Sequence, residues 1–416
     1  MKVVVFGSSV AWGQGAENDF GWAARLAQSL EPRGWSLVNK SVPGDNTTKL
    51  LSRFQSAVLP EKPQAVILAL SLANEGLVRQ PDPGAIFFRY RENMRKLVQL
   101  CRNNGIVPIV TGVYPHGAYT PRQYEYAKNM NSELDSWDVA TVDFMGAVED
   151  GSGHWAEGTF RDPGHPNDAG HEALFRAFPP SLLDGLISWA PLPLRPGTAW
   201  LAAPASPEPR EGIAYRPLDE MPSFTLAAEV LPDPKTPGIL LQAGSVSLSV
   251  DAKGNLAAAT GTAGTTAPKS TGFALRKDKP VHLAIARNAP MKKNWVFADG
   301  KELLSWNDDA ASPALFSLGG GENQPAAAAS FRNAALYRVA LRQDQIAGLA
   351  SQKFLKSGLE IFSALDDAGT ESGTILNNQA PNDAAWNLRN SNFRILREKI
   401  SQNEEKQKNS LRFLRN

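Results

Sequence analysis

Between residues 1 and 188, short apolar runs alternate with segments whose apolar residues recur at helical spacing, and this alternation constrains the fold more than any other feature. A run that is apolar throughout must be covered on both faces, and two parallel strands can be joined only by a crossover long enough to hold a helix. Strand candidates lie at 3–6, 35–39, 65–70, 106–111 and 140–142, and helical patterns at 22–30, 47–58, 85–103, 122–136 and 168–183. Together they predict an α/β fold with one open five-stranded parallel sheet flanked by helices. In such a sheet the chemistry belongs to loops leaving the carboxyl ends of the strands.

The rest of the chain follows a different rule. From 189 to 222 prolines accumulate (Pro191, Pro193, Pro196, Pro204, Pro207, Pro209, Pro217, Pro222), which disfavours helix and central strand and predicts a linker or a strap on the first domain. Residues 223–388 carry short alternating runs near 224–230, 239–241, 246–250, 281–286, 294–298, 315–318 and 335–341, separated by Gly, Asn and Asp turns. This is the pattern of an all-β sandwich of the jelly-roll kind, with Asp299-Gly300 as a hairpin turn. The segment 389–416 has eight Lys/Arg against three Glu, with Phe393, Leu396 and Ile400 at helical spacing, and predicts a charged helical tail docking one apolar stripe.

Charge narrows the partners. The chain has 43 Lys+Arg against 42 Asp+Glu, a formal +1, so no global field favours nucleic acid or an anionic membrane. No run approaches the ~20 apolar residues of a membrane span. One cysteine, Cys101, excludes an internal disulfide and multi-cysteine metal sites. Met1 and Lys2 lead into an apolar run at 3–6 too short for a signal-peptide core, so the expected compartment is cytoplasmic, or periplasmic or secreted if a signal has been trimmed.

Four loops hold reactive residue types. After the first strand, Gly7-Ser8-Ser9-Val10 puts a serine hydroxyl at the carboxyl edge. After the second, Ser41-Val42-Pro43-Gly44-Asp45-Asn46-Thr47 lets Gly44 turn a backbone N–H toward that edge, while Asp45 or Asn46 can cap a helix. After the third, Ser71-Leu72-Ala73-Asn74-Glu75-Gly76 brings the Asn74 amide to the rim. Near the end of the region, Asp162-Pro163-Gly164-His165 sets a carboxylate and an imidazole three residues apart.

In order and placement these blocks resemble the SGNH (GDSL-type) hydrolase family, over roughly residues 1–185. The resemblance implies a flavodoxin-like sheet and a serine ester hydrolase without a cofactor. Ser9 would be the nucleophile, His165 its base and Asp162 the group that orients the imidazole. The oxyanion hole would consist of the backbone N–H groups of Ser9 and Gly44 and the side-chain amide of Asn74. Two positions depart from the family pattern. The acidic residue usual before the nucleophile is Ser8, and the Asp usual after the third-block Asn is Glu75, changes that bear on loop bracing.

The remaining candidates have plainer readings beside functional ones. His171 is expected to bond locally as the last helix begins, His282 to sit in a sandwich strand, and His116 and His154 to border the carboxyl edge. Trp12, Tyr114, His116 and Trp155 are candidate substrate contacts, the aromatic rings by stacking on a sugar face. Cys101 is expected in the core beside Leu97 and Leu100. Asp162, His165 and His171 form a metal set only on paper, Gly13-Gln14-Gly15 falls short of a dinucleotide fingerprint, and neither metal nor cofactor is expected.

The segments around 224–230, 282–287 and 331–339 resemble a laminin-G or concanavalin A-like sandwich, which implies a glycan-binding module; a purely structural sandwich is the competing reading. An esterase joined to such a sandwich predicts removal of acetyl groups from a carbohydrate. The alternatives are a lysophospholipase or thioesterase acting on longer acyl chains, or a glycan-binding or structural protein with an inactive esterase domain. The expected partner is an acylated carbohydrate or another small ester, not nucleic acid, and oligomeric state stays open.

Overall fold

The computed structural model describes residues 1–188, 194–260, 268–321, 324–366, 371, 373–380, 382, 384, 386–389 and 393–397. Its first half builds the sheet that the alternation predicts. Strands β1 (Lys2–Gly7), β2 (Ser36–Asn39), β3 (Ala65–Ala69), β4 (Val107–Thr111) and β5 (Ala140–Val142) run parallel in the order β2-β1-β3-β4-β5. The order reverses between β1 and β3, and that crevice at their carboxyl ends is where the fold can seat a ligand.

Helices α1 (Ser9–Trp12), α2 (Trp22–Leu30), α3 (Thr47–Ala57), α4 (Pro83–Asn103), α5 (Pro121–Ser136), α6 (Phe144–Val148), α7 (Asp168–Arg176) and α8 (Leu182–Ser188) complete this half. The period-2 geometry of β1 explains why it is apolar at every position. Val3 and Val5 pack with Trp22 and Leu26 of α2 and Leu174 of α7, whereas Val4 and Phe6 pack with Phe54 of α3, Tyr90 and Leu97 of α4 and Met130 of α5. Each such side chain, taken fully out of water, contributes about 1.5–3 kcal/mol before entropy is counted. Helix starts are marked by caps: Asn46 accepts from the Lys49 N–H, Asp82 from Gly84 and Ala85, and Thr120 forms a capping box with Gln123. Cys101 is buried in α4 as expected. The single helix expected at 168–183 is instead two, α7 and α8, because Pro179 and Pro180 fall between them.

The second half is two antiparallel sheets. One carries the strands Lys301–Asn307, Lys293–Ala298, Val281–Asn288, Phe224–Pro232, Ala329–Tyr337, Ala199–Ala203 and Arg394–Arg397 in that order, with Leu359–Ser363 also paired to Ala329–Tyr337. The other runs Lys269–Ala274, Asn255–Ala259, Val246–Val250, Gly238–Ala243, Phe316–Leu318, Gly212–Tyr215 and Asn387–Arg389. Leu226, Leu283, Ile285, Leu240, Leu248 and Phe316 fill the space between them. The Asp299-Gly300 hairpin forms as expected, with φ of 48° and 76° at its two central residues.

Two expectations are corrected here. The stretch 189–222 contains the strands Ala199–Ala203 and Gly212–Tyr215, one in each sheet, so the part from 199 to 215 belongs to the sandwich rather than to a linker. Prolines delimit these strands and do not interrupt them. In the segment expected to be a helical tail, Arg394–Arg397 is a strand paired with Ala199–Ala203 and Phe393 is buried; Ile400 and the residues after 397 lie outside the described residues.

The two halves share one hydrophobic cluster. Val142, Phe144, Ala147 and Val148 of the first pack with Ala227, Ala284, Ala286, Tyr337, Val339 and Ile346 of the second.

Candidate active site

Each element of the site is built by local sequence. β1 ends at Gly7, where a Cβ would come 2.2 Å from the Ala69 carbonyl oxygen, so only glycine lets β1 and β3 run this close. Ser9 then opens α1. Its N–H belongs to the first turn of a helix, which no intrahelical carbonyl can reach. Ser8 is fully buried, and its hydroxyl has no hydrogen-bond partner among the described residues.

The carboxylate and imidazole arrive on a small hairpin of β6 (Phe160–Asp162) and β7 (His165–Pro166), whose register sets Asp162 opposite His165. Asp162 Oδ1 and Oδ2 lie 2.9 and 3.0 Å from His165 Nδ1, and His165 Nε2 lies 3.0 Å from Ser9 Oγ. Ser9, His165 and Asp162 therefore form one hydrogen-bonded line across 156 residues of sequence. Partial burial works against the charge of Asp162, but the Gly164 N–H and His165 outweigh it and hold the carboxyl below its usual range. Asp162 thus stays an acceptor, which fixes the proton of the neutral imidazole on Nδ1 and leaves Nε2 free to accept from the serine hydroxyl.

The Gly44 loop is held against the first: the Val42 N–H donates to the Gly7 carbonyl at 3.2 Å. Gly44 has φ of +81°, a conformation that side chains disfavour, and Asn46, not Asp45, caps α3; Asp45 pairs with Arg53. Asn74 Oδ1 accepts from the Ser71 N–H at 2.8 Å and from the Tyr114 hydroxyl at 3.1 Å. Because the Ser71 N–H can only donate, the oxygen end of the amide is assigned, and the NH2 end points away from these partners.

Tyr114 and Trp155 are placed differently from the expectation. Each is 3% exposed, which leaves no open ring face for a sugar. The rings stack on each other with centroids 6.0 Å apart, and the Trp155 indole N–H donates to the Pro163 carbonyl at 2.9 Å, between Asp162 and His165. They brace the Asn74 amide and the histidine loop, a role that sequence offers no signal for, since the Tyr114–Asn74 bond and the Tyr114–Trp155 stack join segments about 40 residues apart. Trp12 is 45% exposed at the end of α1, three residues from Ser9, and Phe160, which no sequence motif marks, is 44% exposed on β6.

The other histidines divide. His116 Nδ1 accepts from the Ala118 N–H, so in the neutral ring Nε2 carries the proton, and that nitrogen lies 3.5 Å from where a Cβ on Gly164 would stand. Burial first, then the neighbouring His165, keeps His116 below its ordinary pKa. His154 Nε2 donates to the Tyr119 carbonyl. His171 bonds locally only through its backbone N–H, to the Asn167 carbonyl; its ring is fully buried, accepts the Trp22 backbone N–H on Nδ1 and donates from Nε2 to the Gln14 carbonyl, tying α7 to the first loop. Burial pushes it down to about 4.

Residues 5–173 match the model of the GDSL-like Lipase/Acylhydrolase family. A stretch of 125 residues is 29% identical to the esterase TesA of Pseudomonas aeruginosa, covering 30% of this chain and 59% of that protein. Among solved structures, a lipolytic protein of the G-D-S-L family from Desulfitobacterium hafniense is 23% identical, with 42% of this chain and 95% of that one aligned at a TM-score of 0.37. The acetylxylan esterase Axe2 from Geobacillus stearothermophilus is 19% identical over 42% of this chain and 90% of that one, at a TM-score of 0.35. No helix among the described residues is long and apolar enough to cross a membrane. With its parallel sheet, its serine after β1 and its histidine hairpin before α7, the region 5–173 belongs to the GDSL-like lipase/acylhydrolase family.

Proposed function

We propose that the protein is a serine ester hydrolase that removes short acyl groups, acetyl foremost, from a carbohydrate. The observation that carries this reading is the line Asp162–His165–Ser9, with 2.9 and 3.0 Å between successive partners. Ser9 Oγ attacks the ester carbonyl carbon while His165 Nε2 takes the hydroxyl proton. The imidazolium, stabilised by Asp162, returns that proton to the departing alcohol oxygen as the C–O bond breaks, leaving an acyl-serine. Water, deprotonated by His165, then attacks the acyl-serine; the proton goes back to Ser9 Oγ and the carboxylic acid leaves. The Ser9 and Gly44 N–H groups and the Asn74 amide hold the oxyanion in both steps.

The substrate class rests on the rim of the site. An exposed Trp12 one helical turn from Ser9 offers a flat apolar face suited to a sugar ring, and the His116 Nε2–H offers a donor to its hydroxyls. The test is acetate release from a panel of acetylated polysaccharides and from p-nitrophenyl acetate, with Ser9→Ala as blank. The variant should lose activity by about 10⁴-fold or more while keeping its circular dichroism spectrum. Substantial turnover by Ser9→Ala would remove the serine from its role. Faster cleavage of long-chain acyl esters than of acetyl esters would put the protein with lysophospholipases or thioesterases instead.

A further inference from the structure

The departure at Glu75 has a structural counterpart. Its side chain is fully buried, yet it lies one residue from Asn74 and carries a carboxylate that must be satisfied. Oε1 accepts from the Thr47 N–H at 2.5 Å and Oε2 from Arg89 Nε at 2.9 Å, while Arg89 Nη2 donates to the Glu75 carbonyl. Thr47 is the first residue of α3, so its N–H is one that the helix cannot satisfy itself, and a carboxylate there is favoured by the helix dipole. Three residues before Thr47 stands Gly44. One turn of α4 beyond Arg89, Asn93 donates to the Thr47 hydroxyl at 2.9 Å.

We propose that Glu75 is a positioning residue for the oxyanion site: its carboxylate ties the Gly44 loop to the Asn74 loop, so that two of the three donors move as one unit anchored on α4. This rests on the assignment of Gly44 and Asn74 to the oxyanion. Glu75 touches no reacting atom. It replaces with direct bonds what would otherwise be independent motion of two loops around a transition state that tolerates little displacement.

The experiment uses the full chain and p-nitrophenyl acetate. Glu75→Ala should lower kcat by about 10–100-fold, less than the 10²–10³ expected for losing a donor outright, with KM changed by less than about threefold. Glu75→Gln keeps the length and an oxygen for the Thr47 N–H and should recover most of the rate, and the pH profile should keep its midpoint because the serine–histidine pair is untouched. In an Asn74→Ala background, Glu75→Ala should lower kcat by a smaller factor than it does in the parent, since one of the two donors it positions is already gone and only its effect on Gly44 remains. An Ala variant that is folded at the assay temperature with unchanged kcat overturns the proposal, as does full additivity with Asn74→Ala. If Glu75→Ala does not fold, a Gln variant with kcat lowered as far as Asn74→Ala also overturns it. Failure of the underlying reading looks different: Ser9→Ala would remain active, or Asn74→Ala would be harmless.

Discussion

The parallel and antiparallel halves bury their sheets in opposite ways. The parallel sheet is covered on both faces by its own helices, and its useful edge is the row of loops beyond the strands. The larger antiparallel sheet is covered on one face by its partner sheet, through Leu226, Leu283 and Ile285, and on the other by the first half, through Ala227, Ala284, Ala286 and Tyr337. Small residues on the second face let two units approach closely. The contrast teaches that the sandwich is a wall of the first half as much as a module in its own right.

Polar contacts at this boundary support the same view. Arg342 from the sandwich reaches Glu149, which also accepts the Tyr124 hydroxyl, and Asn288 donates to the Glu149 carbonyl. Glu149 bridges to Trp155, whose indole holds the histidine loop. Arg338, fully buried, joins Glu360 and Asp219 to the Arg176 carbonyl at the end of α7.

The largest way to break the comparison is to delete residues 199–416. The exposed faces of Phe144 and Val148 should make the remainder aggregate; a soluble, folded first half with unchanged turnover on a small ester would show that the shared cluster is dispensable. Next, Arg342→Ala should cost about 3–5 kcal/mol in chemical denaturation, because it leaves Glu149 buried and without its cation. Pairing Arg342→Met with Glu149→Gln should cost less than Arg342→Ala alone; an equal cost would mean that packing, not charge, makes this contact.

The smaller effect comes from acid. His171 in the first half and His282 in the sandwich are both pushed down to about 4 by burial, from an ordinary 6.5. A depressed value means that the unfolded chain binds the extra proton first, so the stabilisation is present above pH 6.5 and is lost as pH falls toward 4, by about 3 kcal/mol per histidine. His171→Gln should flatten the denaturation midpoint between pH 6.5 and 4 in part, and a variant as acid-sensitive as the parent would remove His171 from this role. Whether near-UV signals from the two halves are lost together over that range sharpens the question of one cooperative unit or two.

Much of the first half was legible in the chain. Apolar runs at 3–6 and 65–70 could only be doubly covered strands, and the blocks around Ser9, Gly44, Asn74 and His165 stand where a parallel sheet delivers its loops. The second half was less legible, because the proline content of a segment does not show where its strands begin and end. The prolines around 204–209 stop two strands without entering them, and three apolar residues at helical spacing near 393 proved too few to distinguish a helix from the strand Arg394–Arg397.

Sequence alone determined the parallel sheet and the residue types at its carboxyl edge, because strand and helix periods and short motifs are local properties of the chain. Only the tertiary structure decided that Tyr114 and Trp155 are buried braces, that Glu75 spans from one loop to the start of α3, and that the sandwich shares the core of the first half. Those outcomes depend on contacts between residues far apart in the chain, and the energy of such a contact is set by what surrounds it after folding.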